Sequence, residues 1–148
     1  MDLALPVNKV RITNDQIKRY SGQINLKKIS ITGQKKIIDS KILIIGLGGL
    51  GTPALTYLAR SGVGCFGIAD PDKVSISNLH RQILYDQKDL KKSKAEVSKK
   101  KILLTNPKIK IKIFKSKITK NNIDKIAKDY DVILDGTDSF ISLSLIHI

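Results

Sequence analysis

Two rhythms of apolar positions alternate along the chain from residue 41 onward. "ILII" at 42–45 is a short, wholly apolar, β-branched run, the signature of a strand covered on both faces. Leu50, Ala54, Tyr57, Leu58 and Ser61 then recur at spacings of three and four, which predicts a helix over 50–61 with those residues on its inner face. Pro53 falls in the first turn of that helix, where its missing N–H does no harm. "CFGIA" at 65–69 reads as a second strand, so 41–69 forms one strand–helix–strand unit. After a polar loop, the pairs Ala95/Ile102 and Val97/Leu104 predict a helix over 92–104, stopped at Asn106-Pro107. "IKIKIF" at 109–114 alternates as a strand, "NNIDKIAKDY" at 121–130 reads as a short helix, and "VILD" at 132–135 as another buried strand. Such alternation predicts an α/β fold, with a mainly parallel sheet and helices on both faces.

Upstream the pattern is weaker. "TNDQIKRY" at 13–20 begins with capping residues and predicts a short helix, while the polar, glycine-punctuated stretch after it reads as part of an arm outside the core. The predicted organisation is therefore an N-terminal helical arm at 1–40, an α/β domain at 41–140 and a short tail at 141–148.

Composition changes this picture little. The formal net charge of +14 raises the prospect of a polyanion partner, but the excess consists of lysines scattered over the whole length, where a nucleic-acid face clusters its charge and favours Arg. No nucleic-acid partner is expected. The N-terminus lacks the pattern of a signal peptide and no segment has the apolar length of a membrane span, so the expected location is cytoplasmic, away from membranes. The single cysteine, Cys65, fits a reducing compartment.

Four glycines lie between residues 46 and 51. Gly46, Gly48 and Gly51 satisfy G-x-G-x-x-G between a strand and a helix, where the first allows a tight turn, the second a close approach to phosphate, and the third close helix packing. No G-K-[ST] follows, which excludes the Walker phosphate loop. Asp70, at the end of the second strand, stands where an acid accepts ribose hydroxyls; its competing reading is a loop cap together with Asp72. This much describes an adenosine nucleotide site and leaves an NAD-dependent oxidoreductase open.

The stretches "RYSGQINL", "DSKILIIGLGGLGTPALTYLARSGVG", "DPDKVSISNLHRQIL", "KSKAE" and "DVILDGTDS" resemble the ThiF/MoeB/HesA family, the bacterial relatives of ubiquitin-activating enzymes. The resemblance implies a Rossmann-like fold, here truncated before the C-terminal half of the family fold. It also implies ATP-dependent adenylation of the C-terminal glycine of a ubiquitin-like sulfur-carrier protein ending in Gly-Gly, in thiamin or molybdenum-cofactor biosynthesis. By the same resemblance Gly49 lies against the nucleotide, Asp70 binds its ribose, and Ser77, Asn78, Leu79, His80 and Arg81 line the site. Arg81 and Lys94 would contact phosphates and act with Asp138 in catalysis, Asp138 would hold Mg²⁺, and Ser139 would adjoin the nucleotide. The full-length form would be a homodimer.

Three departures qualify the resemblance. The family's phosphate-reaching arginine is replaced by Gly22, its T-D-N reads Thr137-Asp138-Ser139, and its zinc-binding Cys-x-x-C pair is absent from the chain, which ends in "ISLSLIHI". The expectation is a truncated or frame-shifted chain, inactive alone.

Overall fold

The computed structural model of the chain describes residues 11–137. Ten elements of regular helix and strand follow one another: α1 (Asn14–Arg19), α2 (Ser21–Ile24), α3 (Ser30–Asp39), β1 (Lys41–Ile45), α4 (Gly51–Ser61), β2 (Cys65–Ala69), α5 (Lys94–Thr105), β3 (Lys110–Phe114), α6 (Ile123–Ala127) and β4 (Val132–Asp135). The four strands form one sheet in the order β3-β2-β1-β4, with every neighbouring pair parallel. The chain walks outward from β1 to β3 and then returns to the other side of β1. That reversal opens a crevice between the carboxyl ends of β1 and β4, where open parallel sheets bind ligands.

Strand residues alternate between two cores because successive side chains point to opposite faces. Ile42, Ile44, Phe66 and Ile68 pack with Leu55 and Ala59 of α4 and with Ala95 and Ile102 of α5. Leu43, Ile45 and Ala69 face the opposite layer, against Ile118, Ile123 and the partly buried Tyr130. The fold is thus α/β and Rossmann-like, with helices on both faces of a parallel sheet.

The strand bearing "VILD" differs from the expectation of a buried strand: among the described residues β4 is the outermost strand beside β1, and its Val132 is 46% exposed.

The face of α4 is the clearest correction. Leu50 and Tyr57, expected to point inward, are 72% and 69% exposed, and the buried residues are Gly51, Thr52, Leu55 and Ala59. Small side chains occupy the inner face because the helix starts hard against the end of β1: a β-carbon on Gly51 would overlap the carbonyl oxygen of Gly46. Close approach selects for size as well as polarity, so the bulky Leu50 and Tyr57 lie outside while Leu58 of the same stripe still packs against the core.

A similar split occurs on α5. Ala95 and Ile102 are both buried in the core, whereas Val97 packs under the loop beside Val74 and Tyr85 and its expected partner Leu104 is 78% exposed. That loop covers the start of the helix and not its last turn.

The N-terminal region contains more helix than the single stretch expected at 13–20. The first helix carries a full capping box, with Thr13 and Gln16 exchanging hydrogen bonds. In α3, Gln34 is fully buried: its amide nitrogen donates to the carbonyl of Ser61 at 2.9 Å and its oxygen accepts from Gln23 at 2.7 Å. Gln23 donates to the same carbonyl, so two amides satisfy the free carboxyl end of α4. Nearby, buried Asn106 donates to the Tyr20 hydroxyl at 3.0 Å, joining this region to the end of α5. Among the described residues, no helix is long and apolar enough to cross a membrane.

Replacing the buried Leu55 by Ala is expected to destabilise the chain by about 2–5 kcal/mol, while Tyr57→Ala should stay within about 0.5 kcal/mol of wild type. Urea denaturation followed by circular dichroism checks this; equal losses would show that the assigned face of α4 is wrong.

Candidate functional site

The site begins where β1 ends. Gly46 N–H donates to Ala69 O at 2.8 Å and Gly136 N–H to Ile45 O at 2.7 Å, so the sheet ladder continues one residue beyond the strands. The chain then turns sharply at Gly46, whose φ of +86° is costly for any residue with a side chain, and a β-carbon there would stand 2.8 Å from the Thr137 methyl group. Gly48 is different in kind, because a side chain would meet nothing closer than the Gln82 amide nitrogen at 3.7 Å. Its missing side chain leaves room on the open side of the turn. The N–H groups of Gly48, Gly49 and Leu50 have no acceptor among the described residues, and they lie at the start of the eleven-residue α4, the positive end of its dipole. Unpaired donors at a helix start favour an anion.

Around this turn lies a cleft of about 870 Å³, within the range typical of small-molecule sites. Gly46, Gly48, Gly49, Asp70, Asn78, Arg81 and Lys94, all candidates from the sequence, line it together. Gly51 sits behind the turn as a packing residue.

Asp70 is 7% exposed and accepts from two backbone groups, Leu47 N–H at 2.7 Å and Asp72 N–H at 2.8 Å. It therefore braces the glycine turn and its own loop. A carboxylate has about four acceptor positions, so bracing leaves capacity on the side that lines the cleft.

Lys94 is the first residue of α5 and only 5% exposed. Its ammonium reaches the cleft and lies 3.3 Å from Asp72, whose side chain is 67% exposed. Arg81 is exposed; its stem lies over Gly49 and its guanidinium donates to Ser77 O at 3.3 Å. Two cationic residues thus line the same cleft as the glycine turn.

The rest of the expected lining is not brought to the cleft wall. Ser77 is exposed, with its hydroxyl 3.0 Å from that of Ser75; Leu79 packs against the small core of Val74, Tyr85 and Val97; His80 is exposed. The cause is the tight 3₁₀ turn at Ile76–Asn78, which sends successive side chains in different directions, so that only Asn78 and Arg81 of the five line the cleft. Asp138 and Ser139 lie outside the described residues.

Sequence reasoning missed several residues here. Gln82 is 3% exposed, lines the cleft, and has a buried side-chain oxygen without a partner among the described residues; it adjoins Arg81 in the sequence. Asp72, which the sequence suggests only as a loop cap with Asp70, also lines the cleft and pairs with Lys94. Ser116, Lys117 and Ile118 enter from the loop after β3, where only the general rule about strand carboxyl ends could have pointed. On the β4 side, one Asp135 oxygen accepts from the Thr137 N–H at 2.8 Å and hydroxyl at 2.7 Å, while the other is buried and unpartnered among the described residues.

Comparison with known proteins agrees with this architecture. Over 132 residues the chain is 47% identical to a protein of Porphyra purpurea named "Probable molybdopterin-synthase adenylyltransferase", covering 89% of this chain and 35% of that protein. It is 46% identical over 121 residues to the sulfur carrier protein ThiS adenylyltransferase of Escherichia coli K12, covering 82% of this chain and 48% of the relative. The chain therefore spans between a third and a half of the length of these relatives. Among solved structures, the E. coli tRNA N6-threonylcarbamoyladenosine dehydratase TcdA in complex with ATP superposes with a TM-score of 0.85 at 27% identity, over 93% of this chain and 56% of that one. Residues 20–147 match the ThiF family as a whole. With a glycine turn at the carboxyl end of β1, a cleft at the switch point of the sheet and a family match over most of its length, the chain belongs to the ThiF family.

Proposed function

We propose that this chain is the ATP-binding portion of an enzyme that adenylates the C-terminal glycine of a ubiquitin-like sulfur carrier. One observation carries the reading: the buried Lys94 and the exposed Arg81 line one cleft with the glycine turn, whose N–H groups have no acceptor among the described residues. Dinucleotide-dependent hydride transfer has no use for two such cations facing one phosphate seat. Sulfur-carrier adenylyltransferases are also the more similar relatives, at 46–47% identity against 27% for the tRNA dehydratase.

In the proposed reaction a carboxylate oxygen of the carrier's terminal glycine bonds to the α-phosphorus of ATP while the bond from that phosphorus to the bridging oxygen breaks, yielding acyl-adenylate and pyrophosphate. Charge accumulates on the leaving pyrophosphate, so the task of the site is positioning and neutralisation. Gly48 and Gly49 N–H groups and the start of α4 hold phosphate oxygens, Lys94 and Arg81 offset the developing charge, and Asp70 with its free acceptor capacity takes the ribose hydroxyls. Asp72 keeps Lys94 paired until a phosphate takes its place.

The donor set fits a magnesium ion. Mg²⁺ is ordinarily held by one or two carboxylates together with substrate phosphates, and Asp135, with a buried oxygen unpartnered among the described residues, precedes Asp138 by three positions in the sequence. Asp138 would hold the ion, which would supply further neutralisation of the triphosphate when bound. The partner protein is a carrier ending in Gly-Gly, and the working form is a homodimer.

Calorimetric titration of the purified chain with ATP and Mg²⁺ is expected to give saturable binding that NAD⁺ does not displace. Removing the buried charge in Lys94→Met should weaken that binding by about 10- to 100-fold, the worth of one or two charge-assisted hydrogen bonds, and leave adenosine binding unchanged. Unaltered ATP affinity would remove Lys94 from the phosphate site. A side chain at Gly22 would meet nothing within 4 Å. Gly22→Arg is expected to tighten ATP binding several-fold, up to about tenfold, where sedimentation shows a dimer, because it restores one cation for the partner's phosphates; no change would count against the shared phosphate site.

A further inference from the structure

Tyr85 belongs to the loop between β2 and α5, is 5% exposed, and packs against Val74 and Val97. Its hydroxyl has a directed role that its packing does not require. The O–H donates to the carbonyl of Leu47 at 2.9 Å, and the same oxygen lies 3.1 Å from the hydroxyl of the fully buried Ser98. A phenol has one proton, and with that proton committed to Leu47 the second contact is donated by Ser98. Burial pushes the phenol well above its ordinary pKa, so the proton stays in place at any working pH.

Leu47 is consequently held from both sides. Asp70 accepts its N–H at 2.7 Å and Tyr85 donates to its carbonyl, while its own side chain is fully buried. Within a planar trans peptide the C=O and N–H bonds point in opposite directions. A Leu47 carbonyl drawn inward to Tyr85 therefore turns the N–H of Gly48 outward, on the side where Gly48 lines the cleft and where that N–H has no acceptor among the described residues. Without this anchor the 47–48 peptide is free to rotate, and the donor loses its aim.

We infer that Tyr85, supported by Ser98, is a positioning residue that aims the Gly48 N–H at a phosphate oxygen of the bound nucleotide. The inference rests on the nucleotide reading above. It assigns Tyr85 no contact with the ligand, and it confines its influence to the phosphate end.

The test compares wild type with Tyr85→Phe, which removes one oxygen and keeps the ring in its pocket. Calorimetric Kd values for ATP and for adenosine are measured on both, and thermal melts show that the variant is folded. The expected result is a loss of about three- to tenfold in ATP affinity, the worth of one aligned hydrogen bond, with adenosine affinity unchanged. Ser98→Ala should show the same selectivity with a smaller loss. Equal losses for ATP and adenosine, or no loss for either, would overturn the positioning role. A wild-type chain that binds neither ligand would overturn the nucleotide reading itself, a distinct failure. An independent readout on wild type serves if the variant does not fold: in ¹H–¹⁵N spectra the Gly48 amide should shift on adding ADP and stay in place on adding adenosine. A Gly48 amide indifferent to ADP sinks the proposal.

Discussion

Two stretches of backbone meet closely where β1 gives way to α4. A β-carbon on Gly51 would overlap the carbonyl oxygen of Gly46, and one on Gly46 would crowd Gly136 and Thr137. Everything else at this end of the sheet follows from holding that contact. The ladder extends to Gly46 and Gly136, Asp70 and Tyr85 grip Leu47, and the remaining N–H groups of the turn are left facing the cleft. Packing the helix so close directs its small residues inward, and Leu50 and Tyr57 are turned to the surface as a result.

Electrostatics around the turn follow from burial as much as from composition. Of the many lysines, Lys94 stands out because the start of α5 carries it into a nearly dry position facing the cleft, with a single exposed carboxylate opposite. Burying a charge is costly unless it is paired, so its place in the cleft wall argues for an anionic occupant more strongly than the net charge of the chain does. Lys101 is a useful contrast: it is pinned between Asp86 and Asp89 at the foot of the covering loop, where the two carboxylates complete a structural network away from the cleft.

The covering loop, residues 71–93, is where sequence reasoning served worst. A contiguous motif suggested that Ser77 through Arg81 all face the ligand, yet a 3₁₀ turn distributes five neighbours over solvent, a satellite core and the cleft. The same loop hides Gln82 and Tyr85, whose roles depend on groups 34 to 38 positions away, at Gly48 and Leu47. The N-terminal helices posed the equivalent problem. Gln34 looks like any surface glutamine until its partners, Gln23 and the Ser61 carbonyl, are brought to it.

Local sequence pattern was enough to establish the strands, the parallel α/β plan and the glycine turn at the carboxyl end of β1, because these depend on local spacing: runs of apolar β-branched residues, a 3.6-residue repeat, and glycines where a strand meets a helix. Tertiary structure alone decided which face of α4 is buried, which loop residues reach the cleft, and that Val132 of β4 is half exposed. Those outcomes depend on how closely distant segments approach and which hydrogen-bond partners they meet, and neither quantity is written in the order of residues along one element.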